Sequence, residues 1–121
     1  MYDILIEDSF SASHFLRHYQ GKCERLHGHN YRVEIVIQAA QLDPIGMGVD
    51  FTIAKQWLKE VLSTMDHQHL NEVEPFLTEN PSAENIARFI YHQYQTKLTD
   101  NLTLSKVTVG ETDRNKVSYW E

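Results

Sequence analysis

A single cysteine, Cys23, excludes an internal disulfide framework in this 121-residue sequence and fits a reducing compartment. No apolar run approaches the roughly 20 residues of a membrane-spanning helix. The opening stretch "MYDILIEDSF" carries acids where an export signal has its basic region, so a cytoplasmic protein with no membrane partner is expected. Positive charge is scarce, with 11 Lys and Arg against 17 Asp and Glu and a formal net charge of −6. That balance argues against a nucleic-acid partner bound by charge neutralisation. It leaves room for a small anionic substrate, because a metal ion and a few local cations outweigh a global field at short range. Repeats, low-complexity tracts and charge blocks are absent, and the three prolines mark turns rather than a linker. What remains is 41% hydrophobic and 23% charged, the composition of one globular domain over residues 1–121.

Periodicity divides the chain. In "YDILIEDSFSASH", Tyr2, Ile4, Ile6, Phe10, Ala12 and His14 share one side of a strand. "HGHNYRVEIVIQA" alternates more clearly, with His27, His29, Tyr31, Val33, Ile35 and Ile37 on one face and Asn30, Arg32, Glu34 and Gln38 on the other. "LDPIGMG" is a turn-rich connection. From Thr52 to Met65 the period becomes helical, through Ile53, Trp57, Val61, Leu62 and Met65, with Asp50 or Thr52 as cap. "DHQHLNEVEPFLTENPS" has little apolar periodicity and is expected to be a loop. A second helix begins near "NPSAEN", capped by Asn80 or Ser82, with the stripe Ile86, Phe89, Ile90, Tyr94 and Leu98. "LTLSKVTVGET" and "KVSYW" are two strands joined by a turn around Asp113, Arg114 and Asn115. The order ββααββ predicts an α+β fold: a four-stranded antiparallel sheet with two helices on one face. Open edges on such a sheet invite pairing with other chains, so a homo-oligomer is expected.

Chemistry concentrates in "CERLHGHNY" and "MDHQHLN". His27 and His29, two apart on a strand, leave the same face, and pairing of the first two strands brings His14 to them. Three imidazoles with an open position suit a catalytic Zn2+ site. Cys23 has three readings: a fourth ligand closing a structural site of one thiolate and three imidazoles, a free acid or base acidified by a nearby cation and by Lys22 or Arg25, or a small buried side chain. Asp66 beside His67 makes a proton shuttle only if the helix has ended, because neighbouring residues on a regular helix do not face each other. His69 follows in the same cluster. Glu111 falls on the Val107–Val109 face, where a carboxylate is either a rim residue or a recognition group. Its two oxygens match an edge of two parallel N–H donors such as pterin or guanine presents.

Taken in order, "FSASH", "CERLHGHNY", "VDF", "DHQHLN", "NPSAEN" and "GET" resemble the 6-pyruvoyl-tetrahydropterin synthase family, most closely the bacterial 6-carboxy-tetrahydropterin synthases of queuosine biosynthesis. The likeness runs from Phe10 to Glu111. It implies a T-fold whose subunits join their sheets into a barrel, in a homo-oligomer of the family's hexameric kind, a dimer of trimers. It implies Zn2+ held by His14, His27 and His29, proton transfer by Cys23 with Asp66 and His67 as relay, and a pterin anchored by Glu111 with the Ser82 hydroxyl close by. The implied substrate is 7,8-dihydroneopterin triphosphate, converted to 6-carboxy-5,6,7,8-tetrahydropterin with loss of acetaldehyde and triphosphate. Arg17, Lys22 and Arg25 are candidate cations for the triphosphate. Glu24 beside Cys23 resembles members that also release 6-hydroxymethyl-dihydropterin for folate synthesis, with Glu24 as an alternative acid or base. Ser13 stands where the family usually has Ala. Competing hypotheses are a non-enzymatic metal- or pterin-binding module and a metal-dependent hydrolase using His67 or Glu24 as base.

Overall fold

The computed structural model describes residues 1–21, 25–99 and 101–121, so the readings made for Lys22, Cys23 and Glu24 lie outside the described residues. Strand β1 (Tyr2–His14) and strand β2 (His27–Ala39) pair antiparallel in unbroken register from Tyr2 opposite Ala39 to His14 opposite His27. The period-two pattern explains this match, because a slip of one residue would turn Ile6, Phe10, Val33 and Ile35 out to solvent. Helix α1 spans Phe51–Leu62, strand β3 is Gln68–His69, helix α2 spans Ala83–Gln95, and strands β4 (Leu102–Gly110) and β5 (Lys116–Tyr119) follow. The sheet order is β3-β1-β2-β4-β5.

The expected four-stranded antiparallel sheet is therefore corrected to a five-stranded mixed one. Two-residue β3 runs parallel to β1, with Gln68 opposite Ala12 and His69 opposite Ser13. The sequence of this segment predicts a loop, because two residues are too few to carry a periodic signal. A 3-10 turn, Leu70–Glu72, continues the same segment.

Both helices pack on the face carrying Ile6, Phe10, Tyr31, Val33, Ile35, Val107 and Val109. Burying each of the Ile, Val and Phe side chains among them contributes about 1.5–3 kcal/mol. Asp50 caps α1 by accepting from the Thr52 N–H at 2.8 Å, and Ser82 caps α2 by accepting from the Asn85 N–H at 3.2 Å. The buried face of α1 is Ala54, Leu58, Val61 and Leu62, so the expected stripe holds from Val61 through Leu62 to Met65 and fails at Ile53, which is 48% exposed. The Tyr94 hydroxyl donates to the Ala54 carbonyl at 3.0 Å and joins the helices. No helix among the described residues is long and apolar enough to cross a membrane.

Candidate metal centre and proton relay

The β1–β2 register ends on His14 opposite His27, and His29 lies opposite Ala12, all facing the helices. Each of the three offers a ring nitrogen within 4.8 Å of the other two. The His14 Nδ1–H donates to the Pro81 carbonyl at 2.6 Å, and the His27 Nδ1–H donates to the Arg25 carbonyl at 2.7 Å. A carbonyl only accepts, so both protons sit on Nδ1 and both Nε2 atoms present lone pairs. Those Nε2 atoms face each other at 3.0 Å. The Nε2 of His29 is buried without a hydrogen-bond partner among the described residues.

Lone pairs so arranged repel one another and fit a cation between them. A metal ligand commonly gives its other ring N–H to a carbonyl, the arrangement seen at His14 and His27. Burial lowers the proton affinity of His14, which is 1% exposed, outweighing its bond to Pro81 and the opposing pull of Glu111. Burial likewise lowers that of His29, again against Glu111. Both rings are held in the neutral form that binds metals.

Glu111 follows β4 directly and donates its N–H to the Asn115 carbonyl at 3.2 Å. Its carboxylate lies 3.9 Å from His14 Nε2 and 3.7 Å from His29 Nε2, within ion-pair reach but beyond a hydrogen bond. Glu111 and Ser82 line one cavity of about 280 Å3, together with Leu16, Tyr19 and Ala83. Tyr31, on the same face as His29, is fully buried and its hydroxyl has no partner among the described residues. Burial, with Glu111 adding to it, pushes the phenol's pKa far up.

Asp66 and His67 form a second unit. Helix α1 ends at Leu62, which frees their side chains to meet: the His67 Nδ1–H donates to Asp66 Oδ1 at 3.0 Å. Asp66 Oδ1 also accepts from the Ser11 N–H at 3.0 Å, and the His67 N–H donates to the Ser11 carbonyl at 2.6 Å. Chiefly through the Ser11 amide, and then through His67, the Asp66 carboxyl is held below the usual carboxylate range. His67 adopts a left-handed backbone with φ 59°, and its side chain is 82% exposed. It shares with His29, Ser11, Ser13, Asn30 and His69 an open cleft of about 450 Å3. Among the described residues, no hydrogen bond or ion pair joins the Asp66–His67 pair to the three imidazoles.

The structure thus gathers His14, His27, His29, Glu111 and Ser82 at one end of the core and leaves Asp66 and His67 as a separate pair. Sequence reading missed the Pro81 carbonyl, which is backbone and leaves no side-chain signature. It also missed Asn71 and took Asn80 for a candidate helix cap, whereas the two amides bracket Phe15 and Arg17 and Ser82 makes the cap. The guanidinium of Arg17 is not a free cation; it donates to the carbonyls of Phe76, Glu79 and Asn71.

Residues 3–121 match the family described as 6-pyruvoyl tetrahydropterin synthase. The chain is 35% identical over 117 residues to the 6-carboxy-5,6,7,8-tetrahydropterin synthase of Bacillus subtilis, covering 90% of this chain and 78% of that one. It is 39% identical over 101 residues to the 6-pyruvoyl tetrahydrobiopterin synthase of Dictyostelium discoideum, covering 82% and 73%. Its fold matches the solved 6-pyruvoyl tetrahydropterin synthase of Caenorhabditis elegans with a TM-score of 0.85 and 32% identity, over 100% of this chain and 97% of that chain. Relatives named for the two products stand at comparable identity, so identity does not separate them. The expected T-fold is the one shared with these neighbours, and the chain belongs to the 6-pyruvoyl tetrahydropterin synthase family of enzymes.

Proposed function

We propose that this chain is a zinc-dependent lyase that converts 7,8-dihydroneopterin triphosphate to 6-carboxy-5,6,7,8-tetrahydropterin, releasing acetaldehyde and triphosphate, as a step of queuosine biosynthesis in the cytoplasm. The observation that carries this reading is the convergence of three imidazoles, two with their Nε2 lone pairs turned inward, beside the Glu111 carboxylate. His14, His27 and His29 would hold Zn2+. When bound, the ion supplies Lewis acidity toward the hydroxyls of the substrate side chain.

The remaining roles belong to this chain's own groups. The two oxygens of Glu111 accept from the 2-amino and N3 hydrogens of the pterin, a charge-assisted and bidentate match. The Ser82 oxygen is engaged as the helix cap, and its hydroxyl proton stays free to donate toward the ring. Cys23 moves a proton on one face of the substrate side chain, and His67 does so on the other. Asp66, an anion at neutral pH, fixes the proton on His67 Nδ1 and leaves Nε2 for transfer. Among the described residues no hydrogen bond or ion pair joins the Asp66–His67 pair to the imidazoles, which is consistent with a homo-oligomer in which the relay of one copy serves the site of another. The hexamer, a dimer of trimers, is what the family resemblance implies.

The adjacency of Cys23 and Glu24 favours a second reading, in which Glu24 directs part of the flux to 6-hydroxymethyl-dihydropterin. Mass-resolved product analysis of zinc-loaded protein with 7,8-dihydroneopterin triphosphate tests both. A 6-carboxy product with acetaldehyde is expected, and an added 6-hydroxymethyl product gives Glu24 its role. A 6-pyruvoyl product assigns the other branch. Metal and substrate bound without turnover overturns the lyase reading in favour of a binding module.

A further inference from the structure

Beyond His14 the chain no longer pairs as a strand, yet residues 14–17 stay fastened to residues 71–81. The Asn71 side chain accepts from the Phe15 N–H at 3.0 Å and donates to the Phe15 carbonyl at 3.1 Å. Asn80 repeats the arrangement two residues on, accepting from the Arg17 N–H at 2.8 Å and donating to its carbonyl at 3.0 Å. The two amides act as short pieces of a neighbouring strand. Between them the Arg17 guanidinium, 5.6 Å from the Phe15 ring centroid, donates to Phe76 O at 2.8 Å, Glu79 O at 3.2 Å and Asn71 O at 3.4 Å. Asn85 in turn donates to the Asn80 carbonyl at 2.8 Å. The next carbonyl along, that of Pro81, accepts from His14 Nδ1–H.

We infer that Arg17 is a positioning residue of the metal centre. By collecting the carbonyls of the 71–79 loop it sets the Pro81 carbonyl where it fixes the His14 tautomer and ring. A planar fork with five donors suits this task, and a lysine's point charge does not reach three carbonyls in one plane. Its engagement with these carbonyls also removes Arg17 from the cations offered to a triphosphate. The inference rests on the metal reading of His14, His27 and His29.

The test is zinc affinity by chelator competition in wild type, Arg17→Met, Arg17→Lys and Arg88→Met, with histidine ring 15N spectra of the zinc-free proteins. Arg88 pairs with Glu79 through its side chain and so controls for general loosening of the same loop. Loss of an outer partner of a metal ligand weakens affinity about 10–100-fold. Arg17 acts one step behind that partner, so Arg17→Met is expected at the lower end, about 10-fold, with a smaller loss for Arg17→Lys and none for Arg88→Met. The His14 ring should carry its proton on Nδ1 in wild type and show mixed tautomers in Arg17→Met. If Arg17→Met does not fold, Arg17→Lys carries the test. Wild-type affinity in the Arg17 variants, or an equal loss in Arg88→Met, overturns the inference while the metal reading stands. Absence of zinc binding in wild type overturns both.

Discussion

Acidifying the metal-free protein should unfold it through its imidazoles before its carboxylates respond. His14 and His29 both bind protons less readily in the fold than the ordinary imidazole value of 6.5, because burial penalises the charged ring. Below pH 6.5 the unfolded chain therefore takes up protons that the folded chain refuses. Their contribution to stability is fully present above 6.5 and is lost as pH falls toward the lowered folded-state values. One such histidine contributes a slope of at most about 1.4 kcal/mol per pH unit, so the pair sets a ceiling of about 2.7 kcal/mol per unit. Glu111 lies within 4 Å of both rings and favours their charged forms, which keeps the observed slope below that ceiling.

Urea midpoints measured from pH 8 to 5 in the presence of a chelator would show this loss directly. The carboxyls held low in the fold, Asp66, Glu60 and Glu121, start from ordinary values of 3.8 to 4.5 and respond only beneath this window. His14→Gln should remove its share of the slope. A midpoint flat from pH 7 to 5, or a slope unchanged in the double variant His14→Gln/His29→Gln, would refute the burial argument. Saturating zinc should steepen the profile, since protons and metal compete for the same nitrogens.

Replacing Tyr31 by Phe removes a buried hydroxyl that has no partner and keeps the ring stacked on Phe10 at 4.8 Å, so zinc-free stability should rise by about 1 kcal/mol in urea titrations. Glu111→Gln keeps the shape but loses one acceptor and the charge, and KM for the pterin substrate should rise with a loss of about 1.5–3 kcal/mol. His67→Gly removes the imidazole but suits the backbone at that position. Turnover should fall about 10²–10⁴-fold, with zinc affinity unchanged and thermal stability maintained.

The parts of the molecule legible in the sequence are those where one pattern ran long enough to outweigh local noise. Strands β1 and β2 each alternate over 13 residues. That length defines a face, and the face carries His14, His27 and His29 together. Glu111, expected on the Val107–Val109 face of β4, stands one residue past the end of that strand. Helix α1 was legible as a helix and, from Val61 to Met65, as a face, but not at its first turn: Ile53 is apolar and exposed, while Ala54, small enough to be passed over, is buried beneath Tyr94. The 66–81 segment was opaque because its order comes from side chains bonded to distant backbone. Asn71, Asn80 and Arg17 hold it by amide and guanidinium contacts whose partners lie more than fifty positions away in the sequence. Periodicity has no access to such bonds.

The two halves of the proposed chemistry are anchored differently. The imidazoles hang from the uninterrupted β1–β2 ladder, where every residue pair resists displacement. The relay itself bonds to the margin of the same ladder at Ser11, next to the short β3 pairing, and requires His67 to stand in the left-handed region. For a residue with a Cβ that backbone costs about 1–2 kcal/mol, and glycine would adopt it freely. The conformation ends the run of helical backbone, and it is what lets Asp66 and His67, adjacent in sequence, meet at 3.0 Å. A turn whose only task was to start β3 would be better served by glycine. Strain accepted in order to keep an imidazole on an exposed edge is intelligible if the imidazole is used. On this account metal binding and proton transfer are separable properties of one sheet. Changes at His14 should abolish both, and changes at His67 only the second.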